Sequence, residues 1–375
     1  MISQTARALT ALVILRAGGF AAVVAVVWFR QTYTTAETTL ILTSLGVGAV
    51  LSPAVVGRLV TEGNLHTLIA SSMFANGVIT MLLPTLFTGP VGLMAIAIFL
   101  VGATSSGARS LLGTLITFTA RSANQAKMQS LVSWSANLGT AAASVIASLA
   151  SGHFAVLFII EGFTLGLVAA CIRTLPVPSI PPTPQWRSLK TSNLPELGFT
   201  LIVALGSTAL MQGLGLAFAL TTRHSGSYVF ATLLNALLIL ALQPVVVRWI
   251  QTRHAMGYLG WGLASGAATA ISVSLSDNWI VLAVGWTLTE VLVTAGLVPI
   301  VLQQTKIELH ATALGIVGSS WGVGAAILPG LIAVAIAVGG RVASWSLFAL
   351  ISAATLLCLG MTYRRSMSIT HQAGQ

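Results

Sequence analysis

Four ionisable side chains stand in apolar surroundings that ordinarily exclude charge: Arg16, Arg109, Glu161 and Glu290. At the centre of a membrane-spanning helix such a group costs roughly 2.5–3.5 kcal/mol on insertion scales, so it faces protein or water and is a functional candidate by default. A guanidinium group binds carboxylates and phosphates in a planar, two-pronged way. Arg16 and Arg109 are therefore candidate ligands for an anionic or zwitterionic part of a solute. Glu290 either balances that charge or carries a proton. A buried carboxylate holds its proton unless a cation offsets the desolvation, so carriage requires Glu290 and any arginine partner to separate during a cycle. The competing reading is a static salt bridge between helices. Arg16 has a further alternative, because its long stem reaches an interface by snorkelling. Glu161 is a second proton candidate, although a place about two turns from a span end suits a packing role as well.

Other chemistry finds little support. His66, His153, His224, His254, His310 and His371 lie in loops or at the edges of apolar runs, and none forms a metal-binding pair. Cys171 and Cys358 have neither metal-site nor disulfide-framework spacing. There is no Gly-rich phosphate loop ending in Lys-Ser/Thr, which argues against an ATP-driven pump, and no nucleophile motif. An enzyme acting on lipid-linked substrates would gather acidic residues near one membrane face, whereas the seven acids here are scattered. The reading is a non-enzyme with no metal and no cofactor.

The elements that must position these residues are set by composition. The chain is 56% hydrophobic and 6% charged, with a mean hydropathy of +0.94. Soluble domains carry about 25% charged residues, and no soluble fold hides this much apolar surface. The solvent must be lipid. Apolar runs at 8–29, 38–59, 65–86, 91–118, 128–149 and 154–171, then at 197–220, 228–250, 256–275, 279–302, 313–338 and 344–361, predict twelve membrane-spanning helices. Their many Gly, Ala and Ser residues suit close packing in lipid, and they lack the alternation of membrane strands. The run at 8–29 is too long for a signal peptide and is kept as the first span.

A Pro-rich polar stretch, Pro176 to Pro184 followed by Gln185 to Lys190, separates six runs from six. It predicts an N-terminal bundle at 1–174, a linker at 175–196 and a C-terminal bundle at 197–375. With the N-terminus inside, the cytoplasmic segments hold Arg7, Arg58, Arg121, Lys127, Arg173, Arg187, Lys190, Arg248, Arg253, Lys306, Arg364 and Arg365. The outer loops hold only Arg30, Arg223 and Arg341. That asymmetry follows the positive-inside rule and puts both termini in the cytoplasm of a cell (inner) membrane protein. The net charge of +10 is then topological and not a nucleic-acid signature. The halves also align: Gly139 over Gly324 brings Arg121 over Lys306, Ala141 over Ala326, Arg109 over Thr294 and Ser105 over Glu290. This pattern points to two pseudo-symmetric six-helix bundles.

With this layout the chain resembles the major facilitator superfamily over nearly its whole length. Gly57-Arg-Leu-Val-Thr-Glu-Gly-Asn-Leu-His66 resembles the family's loop motif after the second helix. Gly57 and Leu59 match it, Thr61 replaces the acidic residue, and the basic cluster shrinks to Arg58 and His66. Ser130 through Gly139 to Ser148 is similar to the antiporter motif of the fifth helix. Gly139 is identical there, while Ala143, Ser144, Ala147 and Ser148 keep small size without the motif's proline. Ala311 to Gly324 looks like the stretch leading into the eleventh helix. The resemblance implies that helices one, four, seven and ten line a central cavity, and Arg16, Arg109 and Glu290 fall on three of these. It adds Gln212 on helix seven, as a solute contact or an interhelical hydrogen bond, and Trp286, one turn before Glu290, as an aromatic wall. Trp28, Trp249 and Trp279 sit near span ends as interface anchors.

The function expected is secondary transport: export of a small amphipathic molecule, a drug or natural product, by proton antiport with alternating access and as a monomer. The alternatives are an importer of an organic anion, suggested by two arginines against one carboxylate, and a scaffold or sensor that transports nothing.

Overall fold

The structure is a computed structural model, and it describes residues 10–15, 20–59, 64–87, 89–119, 134–135, 137–146, 153–173, 194–222, 225–249, 255–306 and 309–373. Regular structure among the described residues is helical. The first half holds α1 (Phe20–Thr32), α2 (Thr35–Leu59), α3 (Leu65–Leu86), α4 (Val91–Thr119), α5 (Asn137–Ile146) and α6 (Phe154–Ile172). The second holds α7 (Leu194–Thr221), α8 (Ser225–Trp249), α9 (Ala255–Leu275) and α10 (Trp279–Gln304). A last helical stretch, His310–Ala373, breaks at Gly339 and Gly340 into α11 (310–338) and α12 (341–373). Gly340 has φ 64°, a left-handed conformation that a residue without Cβ adopts at little cost, so the turn falls there.

Eight of the described helical stretches are long and apolar enough to cross a membrane, and the last of them, Ile316–Met361, contains the Gly339–Gly340 break. The chain is a multi-pass membrane protein, but the twelve spans expected from sequence are not all recovered at this standard. Parts of the runs at 8–29 and 128–149 lie outside the described residues. The helix α9 is long enough but so rich in Gly, Ala and Ser that its hydropathy is diluted. Pro84, Pro244, Pro299 and Pro329 sit inside helices, as membrane spans tolerate when neighbours satisfy the freed carbonyls. Most of the Pro-rich linker also falls outside the described residues.

The chain forms two compact units. The first comprises Met1–Trp186 with Thr222–Leu240 and Ala325–Ala333, and the second Arg187–Thr221, Ala241–Gly324 and Val334–Gln375. In the first unit α2 lies along α4. A Cβ on Gly48 would strike the Phe99 carbonyl, one on Gly102 the Leu45 carbonyl, and Ser106 Oγ donates to the Ala49 carbonyl at 2.9 Å. Gly77 of α3 and Gly162 of α6 likewise face each other's carbonyls. Small residues let these backbones approach, which is the main source of helix cohesion in lipid. Leu12, Leu15, Ile69, Met73, Leu112 and Leu165 fill the core beside them. Where α1 ends, Trp28 stacks on Phe87 with centroids 3.6 Å apart and planes 6° apart, and on Phe158 at 4.8 Å. Tyr33 donates to the Phe87 carbonyl at 3.0 Å. Burial first, and the Glu37 carboxylate second, raise the Tyr33 hydroxyl above its ordinary pKa. Arg30 donates to the Thr222 carbonyl at 3.3 Å, and burial lowers its pKa.

In the second unit α9 lies along α10. Gly262 admits Val293, Gly296 admits Leu259, and Gly285 admits Thr269. The glycines in the middle of α7 receive side chains only: Thr355 over Gly206, Phe348 over Gly213 and the Trp286 ring over Gly215. Ion pairs fasten two ends of the unit. Glu196, in the first turn of α7, takes Lys306 Nζ at 3.3 Å on one carboxylate oxygen and the Lys306 amide at 3.2 Å on the other. Arg341, just past the glycine break, pairs with Asp277 at 3.0 Å and donates to the carbonyls of Val273 at 2.7 Å and Ser276 at 3.1 Å. Those carbonyls close α9, where orphan acceptors and the negative end of the helix dipole favour a cation. Arg341, one of the three basic residues placed outside by sequence, is there to cap a helix.

Candidate functional site

The helix α10 exposes two faces of opposite character. Ile280, Val284 and Leu288 recur at helical spacing and are 48%, 42% and 43% exposed. Trp286 and Glu290, half-buried, and Thr294, exposed, form a second stripe. The stripes are offset by two residues, about 200° around the helix, so they lie on opposite sides. A helix in lipid turns its apolar side to hydrocarbon and keeps a carboxylate away from it. The Glu290 side is therefore the candidate pathway side. A groove of about 410 Å³ between α9 and α10 belongs to the apolar side, lined by Ser265, Thr269, Ile280, Val284 and Leu288 among others. Two of its hydroxyls already have acceptors, Ser265 on the Gly285 carbonyl of α10 at 3.4 Å and Thr269 on the Ser265 carbonyl at 2.7 Å.

The helix α7 supplies the neighbouring wall. It is the most enclosed of the candidate spans, with about two thirds of its most apolar stretch buried. Its middle opens along one stripe, Leu205, Ala209, Gln212 and Leu216, whose spacings of four, three and four place them on one face. Gln212 is the sole polar residue of this stripe. Its Nε2 donates to the Trp321 carbonyl of α11 at 2.9 Å. The adjoining Met211 faces α10: its carbonyl accepts from Trp286 Nε1 at 2.7 Å, and its sulfur accepts from Thr294 Oγ1 at 3.9 Å. Gly215 makes the first contact possible, since any Cβ there would meet the indole ring.

Three sequence candidates, Gln212, Trp286 and Glu290, thus lie in one unit on two packed helices. Trp286 is pinned by its nitrogen and presents a ring face and edge rather than a free donor. Arg109 lies in the first unit, half-buried on α4, with Nε donating to the Ser105 carbonyl one turn back at 3.3 Å. The guanidinium is therefore folded along its own helix. Glu161 is also in the first unit, 4% exposed on α6 beside the Gly77–Gly162 crossing. Arg16 lies outside the described residues. Sequence reasoning missed Met211, Gly215, Trp321 and Gly324. The spacing of Gly206, Gly213 and Gly215 on α7 was the available signal, because such notches ask for side chains to fill them. No group of three or more metal-ligating side chains occurs among the described residues.

No protein-family pattern and no curated protein sequence matches the chain. Solved structures do. A POT family transporter in complex with a thioalcohol-conjugated peptide aligns with a TM-score of 0.75 at 11% identity, over 98% of this chain and 96% of that one. The POT family transporter PepTSo gives 0.73 at 14% identity over 98% of both chains, and the nucleoside transporter NupG gives 0.72 at 11% over 96% and 98%. At these identities the likeness shows the fold. The chain has the all-helical fold of these transporters, the major-facilitator fold that its sequence patterns resembled.

Proposed function

We propose that the chain is a secondary transporter that moves a small solute across the membrane by alternating access, not an enzyme or a scaffold. The observation that carries this reading is α10, which turns Ile280, Val284 and Leu288 one way and Trp286, Glu290 and Thr294 the other. A carboxylate on the side away from lipid, beside an enclosed helix with one open stripe, is what a solute path requires. The structural neighbours named as peptide and nucleoside transporters favour a polar, hydrogen-bonding solute. Export of a drug or natural product rests on the small-residue pattern at 130–148 and on the apolar, Trp- and Met-bearing helices that line the expected cavity, and import of an organic anion on Arg16 and Arg109.

In this reading Gln212 and Trp286 contact the solute and Arg109 attracts its anionic part. Glu290 carries the coupling proton, with Glu161 as a second protonatable site held inside the first unit. The protein works in the inner membrane as a monomer with both termini in the cytoplasm. Everted vesicles given an inside-acidic gradient and a panel of dipeptides, nucleosides and amphiphiles test it. Glu290→Gln is expected to cut proton-driven flux tenfold or more at unchanged expression. Normal flux in that variant removes Glu290 from the mechanism, and accumulation on imposing the gradient assigns export.

A further inference from the structure

We propose that Gln212 is a fixed hydrogen-bond acceptor that selects solutes bearing an N–H or O–H donor. This rests on the transporter reading and deepens it. The amide of a glutamine is ambiguous in isolation, since either end can turn toward a partner. Here the partner decides. The Trp321 carbonyl only accepts, so the group 2.9 Å from it must be Nε2. A helix carbonyl has a second lone pair and serves Gln212 without surrendering its place in the helix.

The seat of the amide is built by a missing side chain. A Cβ on Gly324 would lie 3.2 Å from Nε2, 3.6 Å from Cδ and 3.7 Å from Oε1. The amide plane therefore rests against the bare backbone of α11, one turn from the carbonyl it binds. Thr208, one turn earlier on α7, packs against the same stretch of α11, with Oγ1 3.4 Å from the Ser320 carbonyl while its proton goes to the Ala204 carbonyl at 2.8 Å. With the nitrogen committed and the plane seated, Oε1 is the end left to act. Among the described residues it accepts no hydrogen bond from protein, and it is not among the buried unsatisfied atoms.

An acceptor held in one orientation at the polar point of an apolar stripe discriminates by chemistry. A solute that donates to it replaces the bond lost to water. A solute that offers a methyl group or a lone pair leaves Oε1 desolvated without a partner. Gln212 is then a specificity residue, and Gly324 a positioning residue that acts through it. Peptides and nucleosides both carry suitable donors.

The test uses full-length protein in nanodiscs with dialanine and uridine as probes, each compared with the analogue methylated at its amide or imide nitrogen, which removes that one N–H donor and keeps the rest of the molecule. Binding is read by ligand-induced shifts in thermal unfolding over a concentration series. Wild type is expected to bind a donor-bearing probe about tenfold tighter than its analogue. Gln212→Met should bring that ratio close to one. Gly324→Ala, which leaves Gln212 in place, should lower the ratio part way while binding persists. An unchanged ratio in Gln212→Met and Gly324→Ala overturns the proposal, and so does a wild type that prefers the methylated probes or binds neither pair. The last result leaves transport standing if Glu290-dependent flux of another solute is found in vesicles.

Discussion

The two units hold themselves together by different means. In the first, backbone meets backbone where Gly48 and Gly102 join α2 to α4 and Gly77 and Gly162 join α3 to α6, and stacked rings close one end around Trp28 and Phe87. In the second, Gly296 of α10 also meets the α9 backbone, but the notches on α7 are filled by side chains, and ion pairs fasten Glu196 to Lys306 and Asp277 to Arg341. Backbone contacts between helices tolerate no sliding. Side chains in glycine notches and carboxylates with cations can shift without moving a helix axis. The Gln212, Trp286 and Glu290 constellation lies on α7 and α10, where α7 is packed through side chains.

Trp28→Ala strikes the first unit hardest. Loss of a buried aromatic costs about 3–5 kcal/mol, and the half-buried Trp28 belongs near the lower figure. A thermal-unfolding series in detergent should show a drop in Tm larger than that of any glycine or ion-pair variant. A drop no larger than that of a surface substitution would remove the aromatic cluster from the comparison.

Glycine substitutions sharpen the contrast between backbone and side-chain obstacles. Gly102→Ala drives a Cβ into the Leu45 backbone and should cost about 2–3 kcal/mol, because α2 itself must move. Gly213→Ala meets the buried Phe348 ring, a side chain and not a backbone, and should cost less, about 1–2 kcal/mol. The reverse order in unfolding measurements would break the distinction.

The ion pairs give the smallest effects, and unequal ones. Arg341→Gln removes a cation from two helix-end carbonyls and from Asp277, at about 1 kcal/mol for side chains 28% and 31% exposed. Lys306→Gln leaves the amide bond to Glu196 intact and loses a lysine that is 61% exposed, so its effect should stay under about 0.5 kcal/mol. Adding salt should weaken the Lys306 contribution first.

Much of the fold was legible because lipid imposes a simple rule. A backbone in hydrocarbon must satisfy its own hydrogen bonds, so apolar runs become helices with few choices. The runs at 65–86, 91–118 and 154–171 match α3, α4 and α6 to within a residue. The site was legible in part. Glu290 and Gln212 stood out as polar groups in apolar runs, and Trp286 by its spacing from Glu290. Which atoms they would meet was not readable, since the Trp321 carbonyl lies 109 residues from Gln212 and carbonyls carry no mark in sequence.

By itself, the order of residues determined that this chain lives in a bilayer, where most of its helices begin and end, and which polar side chains would be costly to leave in hydrocarbon. Tertiary structure alone decided that Trp286 is pinned through Gly215 to Met211, that Arg341 caps α9, and that Gly324 seats the Gln212 amide. Local sequence encodes the cost of exposing a group to lipid. The partner that relieves this cost comes from another helix, brought close by packing, and only the assembled geometry names it.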